Sequence, residues 1–237
     1  MTDTVKKVAD ILAEALEHLD IRHVFGIIGA GNVHIFEAIA KRGFTQLVCV
    51  HHEQAATMAM QTYYRTSGRL AACVVTTGAG STNAITGVVS AWADSIPGIV
   101  IAGNENSKHT NPDRLNRMWG VQGYDSVDMV RKVTKYAKRV LDPEYVVYEL
   151  EKAINISLEG RPGPCWIEIP MDIQAMRIPP DTVERYAPCI LEVKQARIEN
   201  QINEVIASLK TSERPLLWLG NGIRLAGAEK KIPILLE

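Results

Sequence analysis

The sequence lacks most of the features that mark specialised classes of protein. It has only four cysteines (Cys49, Cys73, Cys165 and Cys189), with no CxxC pair and no histidine cluster at zinc spacing. That excludes a disulfide-stapled scaffold and argues against a structural zinc site. Three of the four lie in apolar, strand-like runs, which predicts reduced core thiols in a cytoplasmic protein. Charge of neither sign is in excess. Lys and Arg number 26 against 27 Asp and Glu, a net charge of −1, so no basic surface argues for nucleic acid or a membrane. No apolar run is long enough to span a bilayer. The start, Met1-Thr-Asp-Thr-Val5, lacks the basic stretch and apolar block of a secretory signal. No lysine follows the glycine-rich turns at the spacing of a Walker loop, which disfavours nucleoside triphosphates.

What is present is an alternation of helices and apolar strands. Val5, Val8, Leu12, Ala15, Leu16 and Leu19 recur at helical spacing. Strands are predicted at His23–Ile28, Leu47–Val50, Leu70–Thr76, Gly98–Gly103, Thr134–Val140 and Cys165–Ile169. Helices are expected over Val33–Lys41, Glu53–Thr66, about Ser81–Ala93, Ser126–Arg131 and from Asp142-Pro-Glu to Leu158, with Gly43 and Gly68 as stops. Asn104–Asp125 is polar and reads as a long surface loop with one helical turn, and loops of that length are often functional. Nearly all-apolar strands alternating with helices predict an α/β fold. It is a three-layer α/β/α arrangement with a parallel, roughly six-stranded sheet, covered on both faces. Four prolines in Pro170–Lys194 read as linker. The expected organisation is a first domain over 1–174, a linker over 175–194 and the start of a second α/β domain over 195–237. That second part has a helix around Ile198–Leu209 and a strand at Pro215–Leu219. One helix and one strand cannot bury a core, so the chain is expected to be a truncated or split piece of a larger protein.

Glu53 is the first candidate for chemistry. It stands where a strand runs into a helix, the place at which parallel α/β sheets keep their ligands. An acid among apolar groups has its protonated form favoured by desolvation; the plainer reading is a solvated first-turn glutamate. Gly29-Ala-Gly31 after a strand, with Glu53 about twenty residues on, resembles a dinucleotide fingerprint. His34 stands where that fingerprint has its third glycine, and a whole helix precedes the strand, so this is the minority reading. Thr76-Thr-Gly-Ala-Gly-Ser-Thr-Asn83 is a second glycine-rich turn. Its backbone N–H groups could line a ligand at a helix start, or its glycines could simply let helices pack. Asp94-Ser-Ile-Pro97 alone reads as a helix stop. His51, His52 and His109 read as packed or solvated.

Taken in order, these segments resemble the N-terminal, pyrimidine-binding domain of thiamine diphosphate enzymes, with the acetolactate synthase group most alike. The matching stretches are His23-Val-Phe-Gly-Ile-Ile-Gly29, Val50-His-His-Glu-Gln-Ala-Ala56, Thr77-Gly-Ala-Gly-Ser-Thr-Asn83, Asp94-Ser-Ile-Pro97, Val133-Thr-Lys135 and Gly160-Arg-Pro-Gly-Pro-Cys-Trp-Ile-Glu-Ile-Pro170. Arg214–Gly222 is similar to the start of the family's central domain. The resemblance implies that Glu53 hydrogen-bonds N1′ of the cofactor's aminopyrimidine, favouring the tautomer whose 4′ nitrogen removes the C2 proton. It places Gly29, Thr77, Gly78 and Asn83 beside the cofactor, and Ala30 and Gln122 near a 2-keto acid substrate. It implies decarboxylation or carboligation, a lyase or transferase chemistry. It also implies Mg²⁺ held through a C-terminal diphosphate-binding domain of the same or a partner chain, and a homodimer or homotetramer whose site spans two subunits. FAD in a completed central domain is left open. Apolar surface around the Glu53 helix is then expected to be exposed and to self-associate. Several positions depart from the family pattern: Ile28 for a frequent Pro, Ala30 for Gly, His51 for Arg and Val121 for Phe. Lone His109 does not reproduce the histidine pair of pyruvate decarboxylases. These differences leave the substrate open. A non-catalytic partner or regulatory module of the same fold is the alternative.

Overall fold

Apolar runs and the glycines between them set the elements of the computed structural model, which describes residues 5–109, 117–118, 120–188 and 195–236. A two-residue strand β1 (Lys6–Lys7) leads into α1 (Val8–His18), β2 (His23–Gly26), α2 (Val33–Arg42), β3 (Gln46–Cys49) and α3 (Glu53–Ser67). Then come β4 (Ala72–Val75), α4 (Ala79–Ala93), β5 (Gly98–Asn104), α5 (Ser126–Val130), β6 (Tyr136–Arg139), α6 (Val146–Leu158) and β7 (Pro164–Pro170). Helices α2 and α3 stop at Gly43 and Gly68, whose φ values of 73° and 70° are left-handed positions that glycine adopts without strain.

Six strands pair in parallel in the spatial order β3-β2-β4-β5-β7-β6. Counted along the chain within this sheet, that is second, first, third, fourth, sixth, fifth. A dinucleotide-binding sheet runs third, second, first, fourth, fifth, sixth, so the minority reading of the Gly29 turn is not met by the topology. The order reverses between β2 and β4, and ligands of open α/β sheets bind outside the strand ends at such a point. Strand parity divides the core. Val24, Ala72, Val74, Ile99, Ile101 and Ile167 pack with α1, α2 and α6. Cys73, Val75, Val100, Ala102 and Trp166 pack with α3, α4 and α5.

Three expectations need correction. The stretch 175–188, read as linker, lies in the first compact unit, which ends at Pro188. Pro170 caps a short helix, α7 (Met171–Ala175), since proline is tolerated at a helix start. After it, β8 (Arg177–Ile178) pairs antiparallel with β1. Residues 189–194, and with them Cys189, lie outside the described residues. Not every strand is covered on both faces: β3 forms an edge, and its Cys49 is exposed while Cys73 and Cys165 are buried. Finally, Pro215–Leu219 forms no strand. A strand is stable only with neighbours to take its backbone hydrogen bonds, and the described part of the second unit, 195–236, holds helices alone. The long helix there is α8 (Gln195–Thr211).

Candidate functional site

The exit of β3 builds the acid's position. Three residues separate Cys49 from Glu53, and His52 caps α3, its Nδ1 accepting from the Gln54 N–H at 3.2 Å. This assigns His52 a structural part, whereas His51 and His109 are exposed. Among the described residues no group of acids, histidines and cysteines could hold a metal ion. Glu53 is half-buried at the first turn of α3. Its Oε2 accepts from Asn83 Nδ2 of α4 at 3.1 Å. Its Oε1 takes no hydrogen bond among the described residues. The thiol of Cys73, buried in β4, is pushed up by burial first and by the Glu53 carboxylate second. That thiol therefore stays protonated.

Helix α4 reaches Glu53 because the α3–α4 contact is made of small groups. A Cβ at Gly87 would lie 2.0 Å from Thr57 Oγ1. Thr57 Oγ1 donates to the Ala84 carbonyl at 3.2 Å, and Ser90 Oγ to Gln61 Oε1 at 3.2 Å. At the start of α4, a Cβ at Gly80 would come within 3.2 Å of Glu53 Oε1 and 2.6 Å of Thr76 Cγ2. Glycine there leaves open the space beside the free carboxylate oxygen.

The two glycine-rich turns meet at the reversal point of the sheet. The Gly29 turn is a short 3₁₀ segment, Ala30–Asn32. Asn32 staples it, accepting from Gly29 N–H at 2.8 Å and donating Nδ2 to the Ile27 carbonyl at 3.0 Å. Thr76 Oγ1 accepts from Gly31 N–H at 3.1 Å. Thr77 is buried against Gly31, and Ala30 is exposed. Gly78, at φ 66°, turns the chain into α4, and a Cβ there would lie 2.7 Å from the Gln122 carbonyl oxygen. Glu105 Oε1 accepts from Gln122 N–H at 3.3 Å, which ties this exposed segment to the exit of β5.

Gly29, Glu53, Thr77, Gly78, Asn83 and Gln122 are thus brought together at one end of the sheet, with Ala30 beside Gly29. Sequence reasoning missed Asn32, Thr76, Cys73 and Glu105. The first two carried a signal, since Asn and Thr beside glycine are turn-stabilising residues. Nothing local marked Cys73 or Glu105. Asp94, read as a helix stop, does follow α4, where it pairs with Arg65 of α3. The arrangement offers a carboxylate held through one oxygen, with the other free beside Gly80 to accept a hydrogen bond.

Comparison with known proteins shows the family. The family described as "Thiamine pyrophosphate enzyme, N-terminal TPP binding domain" matches residues 6–129, just over half of the chain. A probable acetolactate synthase 2, chloroplastic, of Oryza sativa subsp. japonica is 32% identical over 226 residues, covering 94% of this chain and 33% of the relative. Acetolactate synthase 3, chloroplastic, of Brassica napus is 30% identical over 222 residues, 93% of this chain and 33% of the relative. The chain therefore spans about a third of the length of the curated relatives it matches.

Proposed function

The chain belongs to the thiamine pyrophosphate enzymes, and from that premise we propose that it supplies the aminopyrimidine half of a thiamine diphosphate site in an acetolactate-synthase-like enzyme acting on 2-keto acids. The observation that carries this reading is the Glu53 carboxylate, fixed through one oxygen by Asn83 and open at the other beside Gly80. Those residues fit the group. A ring N–H at N1′ needs one acceptor held in place, and flat-ring access needs a wall without side chains.

Thiamine diphosphate, when bound, supplies the electron sink for cleavage or formation of the bond next to a keto group. The chain's own residues bind and orient it. Glu53 Oε1 accepts the hydrogen at N1′ and shares the proton there. Asn83 keeps the carboxylate from rotating away. The Gly29–Gly31 and Thr77–Gly78 turns wall the ring, and the Gln122 segment, resting on Gly78, borders the substrate side. Decarboxylation with carboligation makes the whole protein a lyase or transferase. Diphosphate and Mg²⁺ are held by a C-terminal domain of the same or a partner chain. The outer sides of α3 and α4 expose Met58, Val89 and Trp92, which suits a homodimer or homotetramer that covers Glu53 with a second subunit. The buried, unpaired thiols of Cys73 and Cys165 suit a reducing compartment such as the cytoplasm.

Calorimetry tests the division of labour. Thiamine diphosphate and Mg²⁺ titrated into these 237 residues give no micromolar binding, whereas a chain extended through a diphosphate-binding domain binds. Micromolar binding by the isolated chain contradicts the reading.

A further inference from the structure

Gln174 is a buried polar side chain that the chemistry above does not use. It lies on α7, is 1% exposed, and is 143 positions from the turn it touches. Its amide nitrogen donates at 2.7 Å to the Gly31 carbonyl and at 2.7 Å to the Ile169 carbonyl. The Gly31 carbonyl has need of that donor. It is pressed against the end of β5, where a Cβ at Gly103 would lie 1.8 Å from its oxygen. A buried carbonyl so placed must be paired by the protein. The other amide atom shows the cost, because Gln174 Oε1 is buried with no protein partner among the described residues. A leucine would fill the same space without that orphan, so the residue type is accounted for by what its nitrogen holds.

The platform beneath Gln174 is itself fixed at both ends. Asp172 accepts from Ser107 N–H at 2.8 Å and from Ser107 Oγ at 2.5 Å, which ties α7 to the segment after β5. The Met176 carbonyl accepts from Val8 N–H at 2.9 Å, which ties it to α1. Gly31 is thus gripped on both sides, its N–H by Thr76 and its carbonyl by Gln174.

We infer that Gln174 is a positioning residue of the site, setting the Gly29–Asn32 turn at the place from which it walls the cofactor ring. This rests on the proposed reading of the turn, but the geometry it asserts is testable without any cofactor. Support for a reactive group from residues that do not touch it is a general requirement of a precise site.

The test is amide hydrogen exchange on the 237-residue chain and its variants Gln174→Leu and Gln174→Glu. In Gln174→Leu, exchange at Gly29, Gly31 and Asn32 accelerates about tenfold, as loss of a single hydrogen bond permits. The interior of β5 and of α6 keeps its protection. In Gln174→Glu, the protonated carboxyl donates to the Gly31 carbonyl, and the ionised one cannot. Protection of the turn is then retained at acid pH and lost as pH rises through the new side chain's pKa. Gln174→Leu shows no such transition beyond the intrinsic one. Asp172, the acid already on α7, is present in every variant and serves as the internal control. Unchanged exchange in the turn overturns the inference. So does loss of protection across both core clusters in either variant, which would make Gln174 a general packing residue. Failure of the cofactor titration above leaves these outcomes untouched, so the two readings fail separately.

Discussion

The helices on one face of the sheet bury Leu12, Leu16, Ile35, Ile39 and Leu150, whereas those on the other bury Ala56, Met60, Ala84 and Val88. The first layer exposes large apolar side chains only at helix ends, Val33 of α2 and Leu158 of α6. Its large side chains fill the space over the sheet, and α7 with β1 and β8 seals its rim. The second layer keeps its bulk outside, with Met58 38%, Val89 43% and Trp92 41% exposed on α3 and α4. It brings those helices together through Gly87, Thr57 and Ser90 instead. Close packing of small groups holds Asn83 within reach of Glu53, and large apolar residues lie on the outer sides of the same helices. The helices that carry the acid and its Asn83 partner are thus also the ones that leave Met58, Val89 and Trp92 exposed.

The largest expected effect tests what steadies the second layer near the sheet edge. Glu168 is 0% exposed and accepts from both Arg139 Nε and Ser126 Oγ, while Arg139 also pairs with Asp125 at 3.0 Å. Arg139→Met leaves that carboxylate buried without its cation, and such breakage costs about 3–5 kcal/mol. Urea unfolding reads it; a loss under about 1 kcal/mol would mean that the pair is solvated and idle.

A smaller effect sharpens the contrast between layers. Replacing Met58 and Trp92 by Gln changes the stability of the chain by about 1 kcal/mol or less, as for surface substitutions. Sedimentation at high concentration then shows weaker self-association than the parent chain. A parent chain that stays monomeric at the same concentration removes the basis for a covered face.

The smallest effect concerns the thiols. In a Cys189→Ser background, a thiol reagent modifies Cys49 at once and spares Cys73 and Cys165 until the chain unfolds. Burial pushes the Cys165 thiol up to about 12, against the nearby Lys135 charge, which draws it down. The sign follows from which state binds the proton. Folded Cys165 keeps it where the unfolded thiol ionises, so its contribution is whole below about pH 8.5 and falls as pH climbs toward the folded value. A melting temperature that rises over that alkaline range would contradict this.

Much of this was legible in the residues. Period and apolar runs placed the strands of the main sheet and the helices between them, and Gly43 and Gly68 ended helices where expected. The topological reversal at β2 and β4 was not legible, because strand order depends on long-range pairing. Helix α7 and the β1–β8 pair were hidden for a related reason. They are short, α7 and β8 lie among prolines, and the β1–β8 pair joins residues more than a hundred positions apart. At the site, local composition suggested Glu53 and the two glycine turns. Resemblance to the family, more than physics, singled out Asn83 and Gln122. Gln174 had no local signal, since its role exists only once Gly31 has been folded against Gly103. Cys49 was misplaced because an apolar strand gives no sign that it will lie at an edge.

The most direct measurement is the rate at which the C2 proton of thiamine diphosphate exchanges for deuterium on the chain joined to a diphosphate-binding domain. Glu53→Gln should slow that exchange by about a hundredfold or more, the scale of a lost acid–base group, while cofactor binding and circular dichroism are retained. Exchange within about twofold of the parent, with cofactor bound, would contradict the role assigned to Glu53.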